Sequence, residues 1–219
     1  MNILFVGNSF TYFHEMPKMV QDLAQANGRD VQAYTFAKGG RKLLQYTEER
    51  QEYAEFRRLY SARPYDLCVL QEYSTLPAED FDAFQRGVQA VMQVTRAYVR
   101  RYMLYETWGF QEGQTQMKAL GLSQNELTEK LQEAYKSLGE KLGLPVAHVG
   151  TAFRWMMQTA PELGLFADDG KHPSYRGSTL AALVIYRTIF HEFPADCSPL
   201  KVLPRTLDAL RGAAVIANG

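Results

Sequence analysis

The sequence of 219 residues has little cysteine and no excess of either charge. Cys68 lies within an apolar run and Cys197 in a loop flanked by prolines, so the two form no disulfide framework and lack metal-ligand spacing. The 24 basic and 24 acidic residues cancel, which gives no reason to expect nucleic acid or an anionic membrane as partner. We therefore expect no metal and no cofactor, and no apolar run approaches the length of a transmembrane helix.

The sequence also lacks the pattern of a signal peptide. Its first apolar run begins two residues in, with no basic segment, separate apolar region or cleavage site before it. A cytoplasmic protein is the simplest expectation. A truncated form of an exported protein stays open.

Short apolar runs alternate with longer segments of helical periodicity. Strands are predicted at Asn2–Val6, Val31–Phe36, Leu67–Gln71, Tyr102–Glu106 and Val146–Val149. Helices are predicted near 41–62, 79–97, 123–142, 151–160 and 174–191, with an earlier one between Pro17 and Gly28. This alternation predicts one domain over residues 1–219, a three-layer α/β/α sandwich with a parallel five-stranded sheet. A longer loop is expected at 107–123, and the chain is expected to end in a short helix.

Polar residues and glycines follow the predicted strands, where such sheets bind ligands. The segments are Gly7-Asn8-Ser9, Lys38-Gly39-Gly40, Gln71-Glu72 and Thr107-Trp108-Gly109, and near the end of the chain Asp169 precedes His172 by three residues. Taken singly, each is more often a helix cap or a turn. Together they supply what acyl transfer requires: a hydroxyl nucleophile, an imidazole base, and a carboxylate that orients the imidazole.

An oxyanion forms in such a reaction and needs hydrogen-bond donors directed at it in advance. A backbone N–H at a glycine can approach closely because no Cβ intervenes. The side-chain amide of Gln71 could add a further donor.

Three segments resemble blocks of the SGNH/GDSL hydrolase superfamily: "GNSFT" at 7–11, "KGGRKL" at 38–43, and "DGKHPSYRGSTLAA" from 169. The first resembles the branch in which Asn replaces the usual Asp before the serine. The resemblance, spanning residues 7 to about 182, implies a flavodoxin-like fold and a catalytic triad of Ser9, Asp169 and His172. Asp168 is interpreted as a turn residue.

The same resemblance implies an oxyanion hole and exposes one departure from the family. The hole would be formed by the N–H groups of Ser9 and Gly40, with Gly39 as second choice. The family's third block usually has Gly-x-Asn-Asp, whose Asn completes the hole, whereas this chain has "VLQEYS". Gln71 is expected to take the place of that Asn.

Aromatic residues near the predicted sheet edge suggest where a substrate would bind. Trp108, Tyr73 and Tyr12 could line an apolar pocket or stack on a sugar ring, whereas Phe10 and Phe13 are interpreted as packing residues. The other histidines, His14, His148 and His191, are not placed to act as the base.

We expect a serine esterase that removes a short acyl group, such as acetyl from a carbohydrate, through an acyl-serine intermediate. Two alternatives remain: acyl transfer to an alcohol, and a non-catalytic binder that holds phosphate with Gly7–Thr11. That segment has one glycine and no lysine, which makes a poor phosphate site. The sequence does not give the oligomeric state.

Overall fold

A computed structural model describes residues 1–217, and its centre is a parallel β-sheet. In this part of the chain the sheet has five strands in the order β2-β1-β3-β4-β5. The strands are β1 (Asn2–Gly7), β2 (Gln32–Ala37), β3 (Leu67–Leu70), β4 (Tyr102–Tyr105) and β5 (Val146–Ala147). All neighbours pair in parallel. This is the flavodoxin-like order, so the predicted fold class is confirmed.

Helices connect the strands and cover both faces of the sheet. Those before β4 are α1 (Ser9–Tyr12), α2 (Met16–Ala26), α3 (Gln45–Glu48), α4 (Arg50–Tyr60), α5 (Leu76–Glu79) and α6 (Phe81–Thr95). Those after it are α7 (Thr115–Leu120), α8 (Gln124–Leu142), α9 (Val149–Thr159), α10 (Tyr175–Phe190) and α11 (Pro204–Ile216). Single 3₁₀ turns lie at Phe13–Glu15 and Pro161–Leu163.

The alternation of side chains along the strands creates two hydrophobic cores. Ile3 and Phe5 of β1 face the core formed with α2, α9, α10 and α11. Leu4 and Val6 face the opposite core, formed with α4, α6 and α8. Because both faces of β1 are buried, its sequence is a continuous apolar run rather than an alternating one. That residues 1–219 form a single domain stays a prediction.

Several predicted boundaries differ from the structure. The helix predicted at 41–62 is divided between α3 and α4, because Glu49 adopts an extended conformation with ψ of 118°. Strand β5 ends at Ala147, since α9 begins at Val149. The segment predicted as a loop at 107–123 contains α7. None of the helices in residues 1–217 is both long and apolar enough to cross a membrane.

The strand order places two connections at one point of the sheet edge. From β1 the chain first moves outward to β2, and then returns to the other side of β1 to form β3. β1 and β3 are neighbours in the sheet, but the segments that follow them lead away in opposite directions. They therefore leave a crevice between them at the carboxyl edge of the sheet. Ser9 lies in the first of these segments, at the start of α1, and Ser74 lies in the second.

Candidate active site

Ser9, His172 and Asp169 are hydrogen-bonded in a row. The Oγ of Ser9 lies 2.7 Å from Nε2 of His172, although the two residues are 163 positions apart. Nδ1 of His172 contacts Oδ2 of Asp169. If Nδ1 carries the ring proton and its N–H donates a hydrogen bond to the carboxylate, Nε2 is free to accept the hydroxyl proton of Ser9. The row therefore has the connectivity of a nucleophile, a base and an orienting acid.

Asn8 anchors the nucleophile between β1 and α1. Its Oδ1 accepts the N–H of Phe10 at 3.2 Å, which caps the helix. Its Nδ2 donates to the carbonyl of Arg41 at 3.1 Å, and its own N–H donates to Oε1 of Gln71 at 3.0 Å. These bonds use the N–H groups of Asn8 and Phe10, so the loop has few free donors for a phosphate.

A tight turn orients the imidazole. Oδ1 of Asp169 accepts the N–H of Lys171 at 3.1 Å and that of His172 at 2.9 Å. Gly170, which lies between Asp169 and Lys171, has a φ of 65°, a conformation that glycine adopts without penalty. Burial alone would raise the pKa of Asp169, but hydrogen bonds from His172 and Lys171 outweigh it and lower this pKa to about 2. The carboxylate is therefore ionised at neutral pH and can stabilise a protonated imidazole.

A cavity of about 320 Å³ opens beside Ser9 and His172. Tyr12 and Tyr73 line it, as the sequence predicts, while their role in binding stays a prediction. Lys171 also lines it. The cavity is large enough for a small ligand and has aromatic walls with a few polar groups, which is typical of small-molecule sites.

The glycine turn after β2 forms another wall of this cavity. Gly39 and Gly40 both line it, and the N–H of Arg41 closes the turn on the carbonyl of Lys38 at 3.3 Å. Gly40 occupies the third turn position with φ of 70°, where a side chain would be strained.

The charged residues on either side of these glycines attach the turn to α4. Lys38 pairs with Glu55, and Arg41 pairs with the buried Glu52 at 2.7 Å. The turn is thus held at both ends, which fixes the glycine N–H groups relative to Ser9.

The prediction that Gln71 donates to an oxyanion is wrong. Its side chain is buried, and its Oε1 accepts the N–H of Asn8 and the hydroxyl of Thr11, the latter at 2.8 Å. Its Nε2 donates to the carbonyl of Glu72. Both ends of the amide are therefore used within the protein, and Gln71 fixes the Asn8 loop instead of lining the cavity.

Ser74 is a site residue that the sequence interpretation missed. It lies in the loop after β3 and lines the cavity together with Ser9 and Gly40. Within residues 1–217 its hydroxyl has no hydrogen-bond partner in the protein, while its carbonyl accepts from Thr107 at 2.9 Å. A free hydroxyl at this place is available to a ligand. The signal in the sequence was a small hydroxyl residue four positions beyond the last residue of β3.

The prediction that Trp108 binds substrate is also wrong. Its side chain is fully buried and stacks between Phe10 and Phe153, with ring centroids 4.5 and 4.0 Å away. Its Nε1 donates to the carbonyl of Lys171 at 3.0 Å. Trp108 therefore supports the Asp169–His172 turn from inside the core and does not reach the cavity.

Glu72 is a fully buried carboxyl at the junction of the site loops. Its Oε1 accepts the N–H of Leu43 at 3.0 Å and that of Tyr73 at 2.6 Å. Its Oε2 has no partner among the described residues. Burial raises the pKa of Glu72 to about 7, although the two N–H donors oppose the shift.

The remaining histidines lie apart from the nucleophile. Nδ1 of His148 contacts the buried Glu106 at 2.7 Å, and Nε2 of His14 lies 3.2 Å from the carbonyl of Pro173. His191 ends α10. Within residues 1–217, no group of three or more His, Cys, Asp or Glu side chains is arranged to hold a metal ion.

The parallel sheet and the serine–histidine–aspartate row together indicate a hydrolase of the flavodoxin-like class. A search of solved structures finds a protein from Slackia heliotrinireducens that is assigned to the SGNH hydrolases. It is 31% identical, the match covers 86% of this chain and 98% of that one, and the TM-score is 0.73. The chain therefore belongs to the SGNH hydrolases, which confirms the resemblance stated above.

Two further solved structures share the fold at lower identity. A DUF4886 family protein from Bacteroides uniformis is 18% identical over 98% of this chain and 93% of that one, with a TM-score of 0.82. Axe2, an acetylxylan esterase from Geobacillus stearothermophilus, is 16% identical over 87% and 94%, with a TM-score of 0.64. A scan against protein-family models and a search of the curated proteins returned no match.

Proposed function

We propose that this protein is a serine esterase that cleaves a carboxylic ester through an acyl-serine intermediate. The observation that carries the proposal is the 2.7 Å contact between Ser9 Oγ and His172 Nε2, together with the hydrogen bond between His172 Nδ1 and the carboxylate of Asp169. Ser9 attacks the ester carbonyl while His172 accepts its proton. His172 then gives this proton to the leaving alcohol, and the ester C–O bond breaks. A water molecule releases the acid by the same steps, again with His172 as base.

The oxyanion would be held by the N–H groups of Ser9 and Gly40 and by the hydroxyl of Ser74. Ser9 is the first residue of α1, so its N–H has no acceptor within the helix. Gly40 and Ser74 border the same cavity, which supports their assignment. Ser74 thus takes the role that the sequence interpretation gave to Gln71.

We propose a short acyl group, such as acetyl on a carbohydrate, as the substrate class. The cavity of about 320 Å³ suits a small acyl group beside Ser9, and Tyr12 is 39% exposed at its mouth, where a sugar ring could stack. The fold is shared with an acetylxylan esterase, which adds support from outside the chain.

The proposal is tested with p-nitrophenyl acetate and butyrate. We expect turnover by the wild type and a loss of at least about a thousandfold in Ser9→Ala, because the nucleophile is removed. Ser61→Ala is the matched control: this serine is exposed, follows the last residue of α4, and its hydroxyl donates to the carbonyl of Arg57. Equal rates in wild type and Ser9→Ala would refute the esterase.

The oxyanion assignment needs its own variant. Ser74→Ala is expected to lower kcat by about a hundredfold with little change in KM, because one donor to the transition state is lost. An unchanged kcat would exclude Ser74 from the oxyanion hole. Adding a short alcohol to the assay and measuring transfer of the acyl group distinguishes a hydrolase from an acyltransferase.

A further inference from the structure

Phe13 stacks face to face on the imidazole of His172. The two ring centroids are 4.4 Å apart and the planes differ by 4°. Phe10 approaches the same imidazole with its edge, at 5.6 Å and 69°. Stacking covers only a face of the imidazole, so both ring nitrogens remain free in the plane to contact Ser9 and Asp169.

The backbone that carries Phe13 has an unusual conformation. His14 and Glu15, the next two residues, have φ of 52° and 55°, in the left-handed region that non-glycine residues seldom adopt. Two consecutive residues of this kind store strain, which persists only where the surrounding structure enforces it and which clusters at functional sites. Here it lies between the nucleophile helix α1 and helix α2.

The contacts that hold this strained turn come from the segment that follows His172. Ser178 Oγ donates to the carbonyl of Phe13 at 3.2 Å. Nε2 of His14 lies 3.2 Å from the carbonyl of Pro173, and its ring packs against Tyr175. The turn and the imidazole are therefore attached to the same piece of chain, which fixes the stack.

We propose that Phe13 is a positioning residue that holds the His172 imidazole towards Ser9 and stabilises its protonated form. The inference rests on the proposed function, in which His172 accepts the proton of Ser9. An aromatic face carries negative electrostatic potential and attracts a cation that stacks on it. The stack therefore favours the imidazolium that forms during acyl transfer, and it limits rotation of the ring away from the hydroxyl.

The test compares Phe13→Leu, which keeps an apolar side chain but removes the aromatic face, with Phe13→Tyr, which keeps the face. Losing a partly exposed cation–π contact corresponds to about a two- to fivefold fall in kcat and a shift of about half a pH unit. We expect both effects in Phe13→Leu, with the acidic limb of the kcat profile moving to lower pH and KM changing less than about twofold. Phe13→Tyr should retain most of the wild-type behaviour.

An NMR titration of the His172 ring protons measures the same effect without turnover. Its midpoint should move to lower pH by about half a unit in Phe13→Leu and should stay in Phe13→Tyr. Among the described titratable residues, Asp169 contacts the imidazole, Lys171, Tyr12 and Tyr73 line the same cavity, and His14 packs against Phe13. None of them is changed by these substitutions.

Phe110→Leu is the matched control, since Phe110, like Phe13, lines the cavity beside Ser9 but packs against Phe10 rather than on the imidazole. It should leave the titration midpoint unchanged. The proposal would be overturned if the titration midpoint of His172 were unchanged in Phe13→Leu, or if Phe13→Tyr shifted it as much as Phe13→Leu does. If the wild type lacks esterase activity but the midpoint shifts as expected, the esterase fails while the stacking effect stands.

Discussion

Replacing Glu72 with glutamine should change how stability depends on pH. Glu72 is fully buried, and its pKa is raised to about 7 from an ordinary value of 4.5, chiefly by burial. Between these two values the folded protein keeps a proton that the unfolded chain has released. The contribution of Glu72 to stability is therefore fully present below about pH 4.5 and is lost as the pH rises through about 7.

The size of this loss follows from the shift. Each unit of pKa difference corresponds to about 1.4 kcal/mol, so the full difference between pH 4 and pH 9 is about 3 kcal/mol. Glutamine keeps the oxygen that accepts the N–H groups of Leu43 and Tyr73, and it cannot ionise. The nitrogen of the glutamine amide would take the place of Oε2. It has room there because the neighbouring residue is Gly87, whose absent Cβ would lie 2.6 Å from Oε2.

The assay is urea unfolding of wild type and Glu72→Gln at pH 5 and pH 9. Relative to the wild type, the variant should gain about 3 kcal/mol at pH 9 but less than about 1 kcal/mol at pH 5, where the folded wild type still holds the proton of Glu72. Glu79→Gln is the control, because Glu79 is exposed and should give no pH-dependent difference. If the free energies of unfolding of the wild type and Glu72→Gln differ by the same amount at both pH values, the buried carboxyl of Glu72 does not titrate as argued.

Three further substitutions, one of them with a control variant, test the packing and the site. Trp108→Ala should lower the free energy of unfolding by about 3 to 5 kcal/mol in urea, because it empties the space between Phe10 and Phe153; a loss under about 1 kcal/mol would contradict the stack. Gly150→Ala should cost about 3 kcal/mol, since its Cβ would lie 2.1 Å from the carbonyl oxygen of Thr107, whereas Gly212→Ala, with its nearest neighbour at 3.8 Å, should be neutral or slightly stabilising. Asp169→Asn should lower kcat on the order of a hundred- to ten-thousandfold. In the wild type, the contribution of the Asp169 carboxylate to the stability of the fold is fully present above about pH 3.8 and is lost as the pH falls through about 2. Because this carboxylate stays ionised in the folded protein between pH 7 and pH 4, a fall in kcat over that range should not come from its protonation.

The three central strands of the sheet, β1, β3 and β4, were predictable because they are buried on both faces. Such strands are short apolar runs bounded by glycine or polar residues, as in β1, and the segments between them have helical periodicity. The boundaries were harder. The two-residue strand β5 gives way to α9 where Gly150 allows the chain to approach Thr107, a contact that no local pattern reveals.

The row of Ser9, His172 and Asp169 was predictable because each residue lies within a recognisable block of sequence. Gln71 was misassigned because its orientation depends on Asn8 and Thr11, which lie about sixty positions earlier in the chain. Trp108 follows a strand like a pocket residue, but Phe10 and Phe153 from distant segments enclose it. These side chains are placed by tertiary contacts, which a single sequence does not display.

The central claim is that His172 activates Ser9 as a nucleophile, and covalent labelling tests it most directly. The protein is treated with a fluorophosphonate, digested, and its peptides are analysed by mass spectrometry in wild type and His172→Ala. We predict one phosphonyl adduct on Ser9 in the wild type, formed at least about a thousandfold more slowly without the imidazole. An unmodified Ser9, or equal labelling rates in the two proteins, would contradict the claim.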